Sequence, residues 1–176
     1  MSGHNKWSKI KHKKAATDAQ KSKLFGKLAK LITTESKRVG GDSSAPSLRA
    51  VIDKAKSENM PSDNIDRAVK KGMSTDAAAM EFVQYEAYGP GGCGIIIEGL
   101  TDNKNRTAQE IKHILSKNGL ALAAPGSAMW MFTKGDDGLE ATTTIDLSDT
   151  DGAKLETILE VLEEHDDVQE VYTNAN

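Results

Sequence analysis

Hydrophobic residues recur at helical spacing in the first part of the chain and alternate with polar residues in the second. Within residues 17–39 the apolar positions follow the spacing of an amphipathic helix, which two glycines terminate. A second helix is predicted over residues 43–59, because Pro61 disfavours helical geometry at the residue before it. A third helix follows over residues 61–72, with two lysines in its last turn. Residues 17–72 are therefore predicted to form a three-helix unit.

The second part of the chain is predicted to form an antiparallel sheet with two helices. Residues 73–79 are small and polar, which is typical of a linker. The predicted elements after this linker are, in order, a strand over residues 82–88, a strand over 94–100, a helix ending at 118–119, strands over 128–133 and 141–147 joined by a turn at 135–138, a helix over 149–165 and a strand over 168–173.

Counted from Gly94, this order is βαββαβ, the ferredoxin-like plan, in which two helices cover one face of an antiparallel sheet. The predicted fold class is therefore α+β, with an N-terminal three-helix unit followed by a ferredoxin-like sheet domain. The domains are predicted at residues 1–76 and 77–176.

Charge is divided unevenly along the chain. Residues 1–72 contain 17 Lys and Arg against 7 Asp and Glu, whereas residues 73–176 contain 6 against 19, although the net charge of the whole is only −3. Clustered basic residues are typical of nucleic-acid-binding domains. Acidic residues crowd positions 149–170, so this end of the chain is not expected to meet a phosphate backbone. The nucleic-acid contact is therefore predicted in the first domain.

The most basic segment is an N-terminal arm, residues 1–14, which contains five lysines, two histidines and Trp7 but no acidic residue. Such a segment is predicted to contact phosphate through its lysines and to stack its tryptophan on a base. The alternative is a solvated terminus with Trp7 and Ile10 docked on the helical core. The predicted nucleic-acid-binding residues are His4, Lys6, Trp7, Lys9, Lys11, His12, Lys13 and Lys14 in the arm, Lys21, Lys70 and Lys71 in the helices, and Lys104 and Arg106 beyond them.

Two loops carry sequences that resemble functional motifs. Residues 89–94 formally match G-x-G-x-x-G, but a dinucleotide-binding loop must open a helix, and here a strand follows. A hairpin turn or bulge is the favoured interpretation. Residues 101–107 precede a helix, and Asp102 or Asn105 is expected to cap its first turn. Lys104 and Arg106 are candidates for secondary phosphate contacts, because cations in a first turn oppose the helix dipole.

Composition and motifs argue against several classes of protein. A hydrophobic content of 38% is typical of a globular protein, and no run approaches the roughly 18 apolar residues of a membrane span. The N-terminus lacks a secretory signal, so a cytoplasmic protein without membrane contact is expected. Cys93 is the single cysteine, which excludes an intramolecular disulfide. The four histidines lack metal-binding spacing, and no nucleophile elbow or Walker loop is present, so no enzyme activity, metal, cofactor or small-molecule substrate is expected.

Several segments resemble the motifs of one family, in that family's order. They are GHNKW at residues 3–7, IKHKK at 10–14, NMP at 59–61, YEAYGPGG at 85–92, TDNKNRT at 101–107, APGS at 124–127, WMF at 130–132 and DVQ at 167–169. On these motifs the chain is identified as a member of the YebC/PmpR family, also called the translational activator of cytochrome oxidase family.

Similar family members usually carry a further α/β domain after the Trp-Met-Phe segment, where this chain has only residues 134–140, predicted to be a hairpin. The resemblance therefore implies a shortened, two-domain member. Any contact that the inserted domain makes in its relatives does not carry over to this chain.

The resemblance implies a regulator of gene expression. Many bacterial members are described as probable DNA-binding transcriptional regulators, whereas mitochondrial and some bacterial members resemble translation factors that act on the ribosome. No predicted helix has Arg, Asn and Gln placed to read base edges, and a lysine-rich arm suits sequence-independent phosphate contact. We therefore expect a translation factor bound to ribosomal RNA. A DNA-binding transcriptional regulator is the alternative, and a ferredoxin-like small-molecule sensor is a third hypothesis.

Overall fold

The computed structural model describes residues 18–176, so the predicted basic arm lies outside the described residues. The described chain divides into two compact units: a helical unit that ends at residue 81 and a sheet unit over residues 82–176. The predicted domain boundary at residue 76 falls in the segment that joins the last helix of the first unit to the first strand. Within residues 18–176, no helix is long and apolar enough to cross a membrane.

The helical unit contains the helices that the sequence predicts. α1 spans Asp18–Val39, α2 spans Pro46–Ser57 and α3 spans Ser62–Met73. Their apolar faces meet in one core, because the residues spaced three and four apart on each helix point the same way. The buried members of this core are Leu28, Ile32, Leu48, Ala55, Met60, Ile65 and Ala68.

A glycine allows α1 and α3 to approach closely. Ser36 Oγ donates a hydrogen bond to the Val69 carbonyl at 2.7 Å, and Thr33 Oγ1 donates to the Ala68 carbonyl at 3.2 Å. A Cβ atom placed on Gly72 would lie 2.7 Å from the Cβ of Ser36. Any larger residue at position 72 would therefore push the two helices apart.

The sheet unit contains six strands and two longer helices in the described residues. They are β1 (Glu81–Tyr88), β2 (Gly94–Thr101), α4 (Lys104–Lys117), β3 (Leu122–Ala123), β4 (Phe132–Gly135), β5 (Gly138–Ala141), α5 (Asp149–Glu164) and β6 (Val168–Thr173). Four of the strands form one sheet in the order β3-β1-β2-β6, and β4 pairs with β5 in a separate hairpin. The β1–β3, β2–β6 and β4–β5 pairs are antiparallel.

The two helices of this unit cover one face of the sheet, as predicted. Ile111 and Leu115 of α4 and Leu155, Ile158 and Leu162 of α5 are buried together with Ile95 and Ile97 of β2. The opposite face of β2 carries Ile96, which packs on Ala128, Met131 and Phe132. The α+β class, with a three-helix unit followed by an antiparallel sheet, is therefore confirmed.

The predicted strand order needs a correction. The βαββαβ plan counted β2, the two hairpin strands and β6, and it left β1 outside the sheet. The structure places β1 beside β2 in the sheet and leaves β4 and β5 as a separate pair. The short connection between β1 and β2 explains this, because a tight turn brings consecutive strands together. Gly89 N–H donates to the Cys93 carbonyl at 2.7 Å, and Gly91 and Gly92 adopt φ values of 67° and 80° between them.

Two predicted strands are also corrected in extent. Residues 128–133 were predicted as a strand, but Met129–Met131 is a turn of 3₁₀ helix and β4 begins at Phe132. The strand predicted over 141–147 is instead β5, which ends at Ala141. Beyond it, a bridge joins Ile145 to Ala175. The β-branched residues 142–144 have strand propensity, but propensity alone does not make a strand without a pairing partner.

Candidate nucleic-acid interface

The predicted cations of the helical unit lie in two separate places, one near the start of α1 and the other at the end of α3. Lys21 is exposed in the first part of α1, and Lys70 and Lys71 are exposed in the last turn of α3. The end of α3 packs beside Ser36 of α1. Because a helix rises about 1.5 Å per residue, Lys21 lies roughly 20 Å along α1 from that contact. Lys21 therefore belongs to a different part of the surface from Lys70 and Lys71.

The structure also shows basic positions that the sequence prediction missed. Lys23, Lys27 and Lys30 share one side of α1, because residues four and three apart are neighbours on a helix. The signal was available in the sequence, since the same period identifies the apolar stripe of Leu24, Leu28 and Ile32.

A groove of about 860 Å³ in the helical unit brings Lys70 together with two further cations. Arg49 and Lys56 of α2 line it from one side and Lys70 of α3 from the other. Asp53 and Asp66 also line the groove, and Arg49 Nε lies 4.0 Å from Asp53 Oδ2. Positive charge therefore exceeds negative charge there by one.

In the sheet unit, Arg106 is engaged by acidic side chains. Its guanidinium lies 2.9 Å from Asp167 and 2.9 Å from Asp102, and 3.9 Å from Glu110. The hydrogen bond to Asp167 and, to a smaller extent, the hydrogen bond to Asp102 raise the pKa of Arg106. The Asp167 side chain is only 8% exposed, so the arginine supplies the charge that a buried carboxylate needs. This structural role accounts for Arg106 without a phosphate contact, whereas Lys104 is exposed at the start of α4.

The TDNKNRT segment forms a network around the first turn of α4. Thr107 Oγ1 donates to Asp167 Oδ2 at 2.7 Å and lies 2.8 Å from Thr101 Oγ1. The helix cap is Asn103, whose side chain accepts from the Arg106 N–H at 3.0 Å. This corrects the prediction that Asp102 or Asn105 caps the helix. The N-cap position precedes the first helical residue, and α4 begins one residue later than Asn103.

Glu110, His165 and Asp167 come close enough together to be considered as metal ligands, with ligand atoms within 4.8 Å of one another. His165 Nδ1 accepts a hydrogen bond from the Asp167 N–H at 3.1 Å, so the ring proton belongs on Nε2, which lies 2.8 Å from Glu110. Asp167 already accepts from Thr107 and Arg106. These hydrogen bonds already occupy the atoms that would bind a metal ion, and Arg106 already balances the negative charge of Asp167. The three residues therefore do not fit a metal ion.

Glu86 organises the segment that leads to Trp130. Its carboxylate accepts hydrogen bonds from the backbone N–H groups of Gly126 at 2.6 Å, Ala128 at 2.8 Å and Met129 at 2.9 Å. Burial raises the pKa of Glu86, but the three hydrogen bonds outweigh it and hold the pKa below its ordinary value. These bonds curl residues 126–129, which explains why this segment is not a strand.

Comparison with known proteins assigns the chain to a family. Residues 5–75 match the model of the TACO1/YebC protein N-terminal domain, and residues 80–135 match the model of the TACO1/YebC second and third domain. The chain belongs to the TACO1/YebC family. The second match ends at Gly135, the last residue of β4.

The curated relatives of this family member are named for regulation. A "Probable transcriptional regulatory protein" of Trichlorobacter lovleyi is 46% identical over the whole of this chain and 72% of its own length. A protein of the same name from Desulfatibacillum aliphaticivorans is 55% identical over 76% of this chain and 55% of its own length. The chain thus spans about half to three quarters of the length of these relatives. Their names describe regulators, and none describes an enzyme.

A solved structure supports the fold of this family member. The conserved hypothetical protein Aq1575 from Aquifex aeolicus superimposes with a TM-score of 0.83 at 29% sequence identity. The superposition covers 97% of this chain and 96% of that chain. This chain therefore shares the α+β fold of that solved structure.

Proposed function

We propose that this TACO1/YebC protein is a nucleic-acid-binding regulator of gene expression, whose first domain contacts the phosphate backbone. The observation that supports this most directly is the charge of residues 1–72, which contain 17 basic and 7 acidic residues. Several of these cations are exposed on the described helices, where the phosphates of a nucleic acid can approach them from solvent. They are Lys21, Lys23, Arg38, Arg49, Lys54, Lys56, Arg67, Lys70 and Lys71.

Two targets follow from different observations. The names of the relatives favour DNA and the control of transcription. The surface of the helical unit favours a target that needs no base reading, because its exposed basic residues are mostly lysines, which neutralise phosphate but carry no sequence information. Ribosomal RNA is such a target, and a translation factor on the ribosome is therefore the second candidate. A cytoplasmic location fits both.

Charge reversal tests the proposed contact. Replacing Lys9, Lys11, Lys13 and Lys14 by Glu is expected to weaken binding to nucleic acid and to flatten its dependence on salt. Each duplex phosphate neutralised contributes a slope of about −0.9 in log K against log salt, and each single-strand phosphate about −0.7. A second variant, K21E/K70E/K71E, tests the helices separately.

The matched control reverses three lysines of the sheet unit, in K112E/K117E/K134E. Its affinity should change less than that of K21E/K70E/K71E. If the arm variant and the helix variant both kept the affinity and the salt slope of the wild-type chain, the first domain would not be the nucleic-acid-binding domain.

Crosslinking in cells distinguishes the two targets. Ultraviolet light joins the protein to bound nucleic acid, and sequencing identifies the attached RNA and DNA. Reads concentrated at promoters and lost in the arm variant would establish a transcriptional regulator. Reads concentrated in ribosomal RNA and lost in the same variant would establish a translation factor.

A further inference from the structure

The groove in the helical unit is built from one face of α2 and one face of α3. α2 contributes Arg49, Ile52, Asp53 and Lys56, and α3 contributes a stripe that runs from Ser62 to Met73. Positions three and four residues apart are neighbours on a helix, so each set forms a single stripe. The groove measures about 860 Å³, within the range of roughly 300–1,000 Å³ that is usual for ligand sites. It is therefore large enough to hold a small ligand group.

Charge is layered along this groove. Arg49 lies eight residues before the last residue of α2, and Lys70 lies eight residues after the first residue of α3. A helix rises about 1.5 Å per residue, so each cation lies about 12 Å along its helix from the turn at 58–61 that joins the two helices. Arg49 and Lys70 therefore lie at the same level of the groove, one on each wall. We call this level the cationic end.

Two carboxylates lie one helical turn nearer to the connecting turn. Asp53 lies four residues before the last residue of α2, and Asp66 lies four residues after the first residue of α3. Each is therefore about 6 Å along its helix from the cationic end. Arg49 and Asp53 form a loose pair, with 4.0 Å between Nε and Oδ2 and with side chains 73% and 64% exposed, so the pair contributes little to stability. Both side chains can therefore turn toward a ligand.

Apolar side chains also line the groove. Ile52 and Val69 are partly buried there, and Ile65 is almost fully buried. Met73 is 59% exposed, and its side chain lies against Gly41, because a Cβ atom placed on Gly41 would be 2.5 Å from Met73 Sδ. Methionine sulfur makes favourable contacts with aromatic rings. The groove therefore offers an apolar surface and an exposed thioether to a flat ring.

We propose that this groove binds an unpaired nucleotide of the nucleic acid, with its phosphate at the cationic end. The Arg49 guanidinium and the Lys70 ammonium donate charge-assisted hydrogen bonds to phosphate oxygens. The carboxylates of Asp53 and Asp66 repel phosphate, and they instead accept hydrogen bonds from sugar hydroxyl or base N–H groups. The base packs on the apolar surface beside Met73. This inference rests on the proposed function and deepens it.

The nucleotide in the groove is unpaired because a duplex hides its bases. In a duplex each base is stacked between its neighbours and paired at its edge, whereas a single strand offers both the flat face and the edge to protein side chains. A surface that only neutralises phosphate favours the duplex, which has the higher charge density. The groove therefore predicts selectivity for single-stranded segments, which the positive charge of the first domain does not.

The binding of labelled oligouridine and of a duplex RNA of the same length to the full chain tests this proposal. Fluorescence anisotropy gives both affinities, and circular dichroism verifies that each variant remains folded. Met73→Ala is expected to bind oligouridine about fivefold more weakly and the duplex unchanged, because only an unpaired base reaches the thioether. Met73→Leu keeps an apolar side chain of similar size and should stay within about twofold of the wild-type chain. Equal losses for oligouridine and duplex in Met73→Ala would overturn the proposal.

The carboxylates give a second test, because a specific site and diffuse charge predict effects of opposite sign. The double variant D53A/D66A removes two negative charges, so diffuse attraction would tighten binding. The loss of two hydrogen-bond acceptors is instead expected to weaken oligouridine binding about fivefold. The matched control is E58A/D63A, which removes two carboxylates from exposed positions of the same unit outside the groove lining and should not weaken binding. Tighter oligouridine binding by both double variants would overturn the proposal.

Oligodeoxyuridine identifies the source of the nucleotide, because it differs from oligouridine in lacking the 2′-hydroxyl group. If D53A/D66A weakened the binding of oligouridine alone, the carboxylates would bind the ribose of an RNA. If it weakened the binding of both strands, they would bind the base, and single-stranded DNA would be an equal ligand. Either result supports an unpaired nucleotide in the groove.

The cationic end separates this inference from the proposed function. R49Q/K70Q is expected to bind oligouridine about tenfold more weakly, whereas the control K112Q/K117Q, which removes two exposed cations of α4, should change the affinity less. If every groove variant bound oligouridine like the wild-type chain while charge reversal in the arm weakened binding, the proposed function would stand and this inference would be wrong. If the wild-type chain bound neither oligouridine nor the duplex, both would be wrong.

Discussion

The guanidinium of Arg106 and the carboxylate of Asp167 lie 2.9 Å apart, although 61 residues separate them in the chain. The contact joins the first turn of α4 to the residue that precedes β6. Thr107 donates to the same carboxylate oxygen at 2.7 Å. Two segments that resemble family motifs, TDNKNRT and DVQ, therefore meet in one contact. In this contact the positive charge of Arg106 balances the negative charge of the buried Asp167 carboxylate.

Replacing Asp167 by Asn should destabilise the sheet unit. The amide cannot balance the guanidinium charge, and the Thr107 hydroxyl loses a charged acceptor, so a loss of about 1–3 kcal/mol in the free energy of unfolding is expected. Urea denaturation measures it. The control is Asp136→Asn in the exposed hairpin turn, which should have little effect. A variant as stable as the wild-type chain would show that the contact contributes nothing.

Replacing Glu86 by Gln should loosen the segment before Trp130. An amide side chain accepts backbone hydrogen bonds less strongly than a carboxylate, so a loss of about 1–2 kcal/mol is expected near neutral pH. The pKa of Glu86 is held below its ordinary value of 4.5, so its ionised form stabilises the folded state. This contribution is fully present above pH 4.5 and is lost as the pH falls through the folded-state pKa.

The difference in stability between the wild-type chain and Glu86→Gln should therefore shrink under acidic conditions. Denaturation at a series of pH values measures it. A difference that stayed constant from neutral to strongly acidic pH would mean that hydrogen bonding by the carboxylate is not what stabilises this segment.

Two glycines of the helical unit should respond in opposite ways to alanine. A Cβ at Gly72 would collide with Ser36 and with the Thr33 carbonyl, which is backbone and cannot rotate away. Gly72→Ala is therefore expected to cost about 1–3 kcal/mol. Nothing lies within 4 Å of a Cβ at Gly26, in the middle of α1. Gly26→Ala is expected to stabilise by about 0.5–1 kcal/mol, because alanine favours the helix.

Chemical denaturation of both alanine variants makes this a paired test within one unit. Stabilisation by Gly72→Ala would mean that α1 and α3 do not pack as closely as described. Destabilisation by Gly26→Ala would mean that this side of α1 is in contact with other residues.

The sequence predicted the elements whose signal is local. The periods of α1 to α3, the glycine-rich turn after β1 and the alternation along β6 each depend on neighbouring residues, and the structure confirms them. The assignments at 128–133 and 141–147 were wrong because distant groups decide them. Glu86 accepts hydrogen bonds from backbone N–H groups of the first segment, and Asn174 Nδ2 donates a hydrogen bond to the Thr143 carbonyl in the second. No local pattern records such contacts.

The candidate sites divide in the same way. An excess of lysine in the first domain is visible in the composition, so the charge could be predicted from the sequence. The contact between Arg106 and Asp167 could not be predicted, because the fold brings together two residues that lie far apart in the chain. The exposure of two aromatic residues was missed for a related reason. Trp130 and Phe82 resemble core residues in sequence, and only their exposure identifies them as surface residues.

Replacing Glu98 by Gln should stabilise the sheet unit near neutral pH. The folded state raises the pKa of Glu98 above its ordinary value of 4.5, so ionisation of this residue works against folding. The penalty is present above the folded-state pKa and disappears as the pH falls through it toward 4.5. The variant should therefore be more stable than the wild-type chain at pH 7, and the gap should close under acidic conditions. Urea denaturation at both pH values measures it, with Glu160→Gln on α5 as the control. If Glu98→Gln were less stable than the wild-type chain at pH 7, the contacts of the ionised carboxylate with Lys134 and Tyr172 would outweigh its burial and the charge of Glu170.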